Sequence, residues 1–213
     1  MLDLLRKHCL YCNAKKKEFF RSEIDFLGHK ISQKGIEVDK HNAQHILDWP
    51  TPKSATEVRA FCGLVRYLAS FLPAISKYIS VLTPLTCNKA SKNFPRWSDK
   101  HEEAFRGLKQ VVSRRACLTT IDHALMPEYK VFVTTDASNY QTSAVLSFGK
   151  TWESARPVAY DSKPLKKAQK YYLVHEKEML AIIRSLKKLC SDLLGILFVV
   201  YTGHLRILIL KET

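Results

Sequence analysis

The six cysteines, at positions 9, 12, 62, 87, 117 and 190, lack the spacing of a disulfide framework. With no cleavable secretory leader in view, they read as reduced thiols of an intracellular, non-secreted protein. Cys9 and Cys12 form a lone C-x-x-C with no second pair and no histidine pair at zinc-finger distance, so that pair reads as incidental. There is no internal repeat and no low-complexity tract. Nor is there an unbroken apolar run of membrane length: Gly195, Thr202, Gly203, His204 and Arg206 interrupt the stretch from Leu193 to Leu210, and about 20 mostly apolar residues are needed to cross a bilayer. The stretch reads instead as a buried strand with a truncated end, an aggregation hazard unless it is covered.

Acidic residues are also short. Twenty Asp and Glu stand against thirty-four Lys and Arg in 213 residues, a formal charge of +14, while 46% hydrophobic and 25% charged residues exclude a disordered chain. The basic excess lies in separate clusters, Lys15-Lys16-Lys17, Arg114-Arg115, Lys163 to Lys170 and Lys187-Lys188, rather than in one tail. Any one cluster is as well explained by a solvated surface. Spread over a folded chain, together they can follow a phosphate backbone and gain affinity by releasing counterions, so a polyanion is the natural partner.

After a short helical pattern at Leu2, Leu4 and Leu5, the first segment turns β-like, with small strands around Phe19-Phe20, Ile24, Phe26 to Ile31 and Gly35 to Val38. Residues 39–85 change to helical spacing, and Ser54 with Glu57 forms a capping box ahead of Val58, Phe61, Leu64, Val65 and Leu68. Asn88 to Pro95 reads as a polar loop, and Asp99 to Val112 as a helix with Ala104, Leu108 and Val111 on one face. Beyond an interrupted stretch at Leu118 to Tyr129, strands end at Asp136, cover Thr142 to Phe148 with a turn at Gly149-Lys150, and cover Arg156 to Tyr160. A helix is expected from about Pro164 to Leu189, then a strand over Ile196 to Tyr201. This is an α+β chain: a small β-hairpin segment, a helical bundle, and a mixed sheet with helix cover.

Asp136 ends a strand whose alternation puts Phe132, Thr134 and Asp136 on one face, at the rim of a sheet. Glu178 falls in a helix whose expected buried face is Met179, Ile182, Ile183, Leu186 and Cys190; it sits one turn before Ile182 and points toward the sheet, while Glu176 leans to solvent. Carboxylates converging from a strand end and a helix suit two-metal phosphodiester hydrolysis, in which two Mg²⁺ ions sit about 3.5 to 4 Å apart. Taken singly, an Asp after a strand is a turn residue and a Glu in a Lys-rich helix is half of a surface ion pair.

The order of Trp97, Ala104-Phe105, Leu108-Lys109, Asp122, Thr135-Asp136-Ala137-Ser138, Pro157 to Tyr160, Tyr172, Glu176-Lys177-Glu178 and Tyr201-Thr202 resembles the RNase H domain of Ty3/gypsy-type retrotransposon polyproteins. Upstream, Phe26-Leu27-Gly28-His29, Trp49-Pro50, Phe61-Cys62-Gly63-Leu64, Arg66-Tyr67 and Thr83-Pro84-Leu85 resemble the end of a reverse-transcriptase palm and thumb. The resemblance implies three regions: palm end with a primer-grip-like hairpin (1–48), thumb or connection (49–118) and an RNase H-like domain, C-terminally truncated (119–213). It also implies Mg²⁺ as cofactor, with Asp136 and Glu178 as the first two metal-binding catalytic carboxylates, and Phe26, Leu27 and Gly28 gripping nucleic acid. The third carboxylate is expected where Gly203 stands in Thr202-Gly203-His204, and the fourth beyond Thr213. The polymerase's Tyr-x-Asp-Asp motif occurs nowhere in the chain. The family tends to have glycines after Asp-Ala-Ser, where Gln141 and Ser143 stand here; if that turn needs positive φ, they cost stability.

The leading expectation is a catalytically deficient fragment that at most binds RNA–DNA hybrid or duplex nucleic acid. One alternative is an active nuclease or polymerase part completed in trans by a partner chain supplying the missing elements. Another is a non-enzymatic interaction module that pairs its apolar last strand with a partner's sheet edge.

Overall fold

The structure is a computed structural model describing residues 2–11, 13, 21–114, 117–126, 128–203 and 206–210. Lys15-Lys16-Lys17, Phe19-Phe20, Cys12, Arg115, Pro127, His204 and Thr213, named above, lie outside the described residues. A short helix α1 (Leu2–Lys7) is followed by β1 (Glu23–Phe26), β2 (His29–Ser32) and β3 (Gly35–Val38), an antiparallel three-stranded sheet in the order β1-β2-β3. Leu27 and Gly28 make the first turn, with φ of 49° and 72°. Positive φ at both central residues is the primed turn whose twist matches the flanking strands, and Gly28 adopts it without steric cost.

The helical spacing becomes α2 (Lys40–Leu47), α3 (Ala55–Tyr67), α4 (Ser76–Leu82), α5 (Asn88–Lys92) and α6 (Asp99–Ser113). The Ser54 hydroxyl accepts from the Glu57 N–H at 3.2 Å, and the Glu57 carboxylate accepts from the Lys53 N–H at 2.8 Å, one residue earlier than the capping box predicts. The polar stretch after residue 87 is not wholly a loop. It starts with α5, which buries Ala90 and is held to α3 by Arg59, whose guanidinium donates to the Thr86 carbonyl (3.1 Å) and to the Ser91 hydroxyl. Phe61, Leu68, Leu72, Leu82 and Leu108 are completely buried in this bundle, and Phe61 meets Phe105 at 4.7 Å between ring centres. Each such side chain contributes roughly 1.5–3 kcal/mol of burial. Gly107 lets α6 lie against α4, because a Cβ there would run into the Tyr78 ring.

A second core belongs to the C-terminal sheet: β4 (Lys130–Ala137), β5 (Gln141–Gly149), β6 (Arg156–Pro164), β7 (Phe198–Thr202) and β8 (Arg206–Leu210), in the order β6-β5-β4-β7-β8. β4, β5 and β6 are antiparallel neighbours, whereas β7 joins β4 in parallel after the crossover through α7 (Val174–Lys188) and α8 (Cys190–Leu193). Val131, Val133, Leu146, Ile182, Leu189 and Val200 fill the space between sheet and helix. The mixed sheet with helix cover is therefore present, and β8 adds an antiparallel strand beside β7 that the apolar pattern did not separate.

Four details depart from expectation. Pro164 ends β6 instead of opening a helix: Ser162 to Pro164 pair with Ser143 to Gln141, and an edge strand tolerates a residue without an N–H. The helix starts ten residues later, at Val174. Residues 150–155, not a two-residue turn at Gly149-Lys150, connect β5 to β6. Gln141 and Ser143 lie inside β5 and are not among the described non-glycine residues with positive φ, which are Cys9, Leu27 and Ala74; the feared strain is absent there. Finally, α7 turns its small side chains to the sheet. Ala181, Ser185 and Lys177 are buried along with Ile182, whereas Met179 (53% exposed), Ile183 (45%) and Cys190 face outward and Leu186 is half-buried. Small residues allow close approach of helix and sheet, and that contact decides the rotation where apolar residues are available on two sides.

The two cores touch at the outer edge of β6. The Ser76 and Ser162 hydroxyls lie 2.9 Å apart, Ser162 Oγ also accepts from the Ser76 N–H at 3.2 Å, and Tyr160 packs against the helical core. Ile36 and Leu118 exchange backbone hydrogen bonds of 2.8 and 2.9 Å, tying β3 to the segment that leads into the sheet. Among the described residues, no helix is long and apolar enough to cross a membrane.

Candidate carboxylate and nucleic-acid site

Asp136 stands near the end of β4 with its side chain exposed, and Glu178 stands in the second turn of α7, half-buried. Thr135 of β4 pairs with Thr202 of β7, so the parallel register carries the residue after β7 to the level of Asp136. That residue is Gly203. A Cβ placed on it would lie 3.8 Å from Glu178 Oε1 and 3.9 Å from Asp136 Oδ1. Two carboxylates separated by forty-two positions in the chain therefore converge on a third backbone position that carries no side chain. Among the described residues, no group of three or more His, Cys, Asp or Glu gathers around a common point.

The surroundings hold the pair in place. Ser138 organises the turn after β4, accepting from the N–H groups of Tyr140 (3.2 Å) and Gln141 (3.1 Å), and Asn139 accepts from the buried Lys177 ammonium at 3.0 Å. This bond joins the β4–β5 turn to the first turn of α7, next to Glu178. Glu176 points to solvent as expected and accepts from the Leu173 N–H at 2.7 Å, closing the start of the helix. On the face of β4 that carries Asp136, the Trp152 indole N–H donates to Thr134 Oγ1 at 3.1 Å, and its ring stacks on Tyr201 at 5.3 Å. Sequence reasoning missed Asn139, Lys177 and Trp152. Lys177 sits between two glutamates in a basic helix and reads as solvated, and Trp152 lies in a connection with no periodicity.

Phe26, Leu27 and Gly28 belong to the other sheet, at the tip of the β1–β2 hairpin. Phe26 is 57% and Leu27 73% exposed. The tip is braced from behind: the Leu27 carbonyl accepts from the Tyr67 hydroxyl of α3, and a Cβ on Gly28 would lie 2.7 Å from Asn42 Nδ2 and 2.9 Å from Tyr67 Oη. His29 stacks between Tyr67 (5.3 Å) and Phe71 (4.8 Å), and burial lowers its pKa below the ordinary histidine value. Its Nδ1 is buried without a hydrogen-bond partner among the described residues. The hairpin thus presents an aromatic and an aliphatic side chain on a stiff support. Of the basic clusters, Lys163, Lys166, Lys167, Lys170, Lys187 and Lys188 are exposed.

Residues 97–200 match the family model of the RNase H-like domain found in reverse transcriptase. The Transposon Tf2-3 and Tf2-4 polyproteins of Schizosaccharomyces pombe are each 36% identical to this chain over 188 residues, 88% of it. The chain spans 14% of the length of these curated relatives. In three dimensions it resembles a foamy viral protease-reverse transcriptase in complex with RNA/DNA hybrid, with a TM-score of 0.74 and 21% identity over 91% of this chain and 25% of that one. The same viral protein in complex with dsDNA superposes with a TM-score of 0.72 and 22% identity over 88% of this chain and 38% of that one. At such identity the likeness is one of fold.

Proposed function

Because this chain is a segment of the Ty3/gypsy-type retrotransposon polyprotein family, carrying the RNase H-like domain of its reverse transcriptase, we propose that it binds RNA–DNA hybrid or duplex nucleic acid and is deficient in cleaving it. The observation that carries the reading is Gly203: the backbone position facing both Asp136 Oδ1 and Glu178 Oε1 has no carboxylate to offer. Mg²⁺ demands near-octahedral oxygen ligation, and a two-ion site needs several carboxylates to hold it. Asp136 and Glu178 are hard oxygen donors and fit one such ion, completed by water. When bound, Mg²⁺ polarises phosphate oxygens and lowers the pKa of a coordinated water. Asp136 and Glu178 would hold the ion, and the Lys177–Asn139 hydrogen bond ties the β4–β5 turn to the first turn of α7 beside Glu178. With Gly203 facing them, no third carboxylate from β7 helps to place a second ion.

Binding draws support from the charge of +14 and the exposed lysines of β6, α7 and the segment between them. The Phe26-Leu27-Gly28 tip supplies a nucleic-acid contact in the first region, and two of the solved structures that share the fold hold RNA/DNA hybrid and dsDNA. The division at 1–48, 49–118 and 119–213 is part of this reading; separate cores on either side of residue 118 support its second boundary, while Val38, Ala43 and Ile46 share the helical core across the first.

Two measurements test the proposal. Filter binding of an RNA–DNA hybrid should weaken steeply with salt, and affinity indifferent to ionic strength would defeat the binding half. Incubation of the same hybrid with Mg²⁺ or Mn²⁺ should release no more product than an Asp136→Ala control; cleavage well above that control would overturn the deficiency.

A further inference from the structure

The connection from β6 to α7 carries a second concentration of chemistry. Between Ser162 and His175 it has four lysines, Lys163, Lys166, Lys167 and Lys170, and no acidic residue. All four are exposed, and no carboxylate of the described residues forms an ion pair with them. At its end Tyr171 is 89% and Tyr172 41% exposed, and Tyr140, in the neighbouring β4–β5 turn, is 71% exposed. Three tyrosines held out in water on a basic surface are poorly explained by folding, since aromatic rings stabilise a protein when they are buried.

The segment is nevertheless fixed at several points. Leu165 is buried and its N–H donates to the Tyr140 carbonyl at 2.8 Å, which places this connection against the β4–β5 turn. Gln169 Oε1 accepts from the Lys166 N–H at 2.9 Å and from the Arg184 guanidinium at 2.7 Å, while Arg184 also donates to Thr142 Oγ1 at 3.2 Å. Arg184 thereby clamps the connection to α7 and β5. A preorganised surface pays less ordering entropy on binding than a mobile one.

We propose that Tyr140, Tyr171 and Tyr172, with Lys166, Lys167 and Lys170, form a contact for unpaired nucleic acid, gripping a single strand that runs off the duplex held beside Asp136 and Glu178. The reasoning is chemical. Lysines alone serve any phosphate backbone, duplex or not. Exposed phenol rings add stacking platforms, and stacking requires base faces that a duplex keeps inside its own stack. Exposed rings and ammonium groups on a connection pinned to the β4–β5 turn match a backbone whose bases are free. The inference rests on the proposed binding of hybrid at the neighbouring carboxylates.

Fluorescence anisotropy with two probes tests it: a blunt RNA–DNA hybrid, and the same hybrid with an unpaired DNA tail. The wild-type protein should bind the tailed probe more tightly. The double variant Tyr140→Ser/Tyr171→Ser should lose about tenfold on the tailed probe and stay within about twofold on the blunt one, and Tyr140→Phe/Tyr171→Phe should restore tailed affinity because the ring is kept. Blunt-probe affinity also reports that the serine variant is folded. Equal wild-type affinity for the two probes, or equal losses on both, overturns the single-strand contact. No binding of the blunt hybrid, with tyrosine-dependent binding of an isolated single strand, sinks the hybrid reading and leaves this contact standing.

Discussion

At the scale of one residue, Gly203 is where chemistry and stability oppose each other. Its backbone φ lies outside the left-handed region, and a Cβ there would meet the two carboxylate oxygens at ordinary contact distances, so an aspartate can enter without backbone strain. Gly203→Asp is expected to lower stability without metal by about 1 kcal/mol, the size of like-charge repulsion at about 4 Å in a water-exposed site. It is expected to tighten Mg²⁺ binding by roughly tenfold, a Coulombic gain of similar size. Calorimetric Mg²⁺ titration and chemical unfolding with and without the ion measure both; unchanged affinity would remove the site from consideration. His29 supplies the second residue-scale prediction. Its folded pKa is lowered by burial, so in the window between that value and the ordinary one near 6.5 the unfolded chain binds more protons than the folded chain. Stability therefore rises with pH through this window and is lost as pH falls below about 6.5. Unfolding midpoints measured across the window should show this slope in the wild type and a shallower one in His29→Phe, which keeps a ring between Tyr67 and Phe71.

Among the elements, the β1–β2 hairpin combines a cost with a use. Leu27 occupies the left-handed region, where a branched hydrophobic side chain is disfavoured by roughly 1–2 kcal/mol, and it leaves most of that side chain in water. Leu27→Asn should raise stability by about 0.5–1 kcal/mol, because asparagine favours this turn, and should weaken hybrid binding if the tip grips nucleic acid as proposed. Paired unfolding and filter-binding measurements read the two effects, and a more stable variant with undiminished affinity would show that the tip makes no contact. Helix α7 shows a different compromise. It turns Ala181 and Ser185 to the sheet and leaves Met179 and Ile183 in solvent, which brings Glu178 to the strand ends at the expense of apolar burial.

For the whole molecule, the relevant feature is the seam between the helical bundle and the sheet. Ser76 is buried, and its polar contacts across the seam run to Ser162. A double-mutant cycle of Ser76→Ala and Ser162→Ala should return a coupling of about 0.5–1.5 kcal/mol, the net worth of an intramolecular hydrogen bond. Coupling near zero would mean that the two cores meet without communicating at this point. If they are coupled, the hairpin tip and the carboxylate site ride on one body, the arrangement needed for separate basic clusters to follow a single polyanion.

Much of this architecture was legible in the chain itself. Helical and strand periods, the Ser54 cap and the basic excess follow from local chemistry, which acts over a few residues and leaves its mark there, whereas Asp136 and Glu178 stood out only through the order of the motifs around them. The end of β6 could not be read this way, because pairing with β5 carries it past Tyr160 to Pro164. The rotation of α7 depends on how closely its small residues approach the sheet, and its apolar pattern offers two faces. The spatial convergence of Gly203 with Asp136 and Glu178 is set by the parallel register of β4 and β7, which brings together segments far apart in the chain. Sequence determined which side chains are present and which segments coil or extend; only tertiary packing decided which of them meet, because a meeting depends on register and rotation, and these are settled by contacts that no single segment contains.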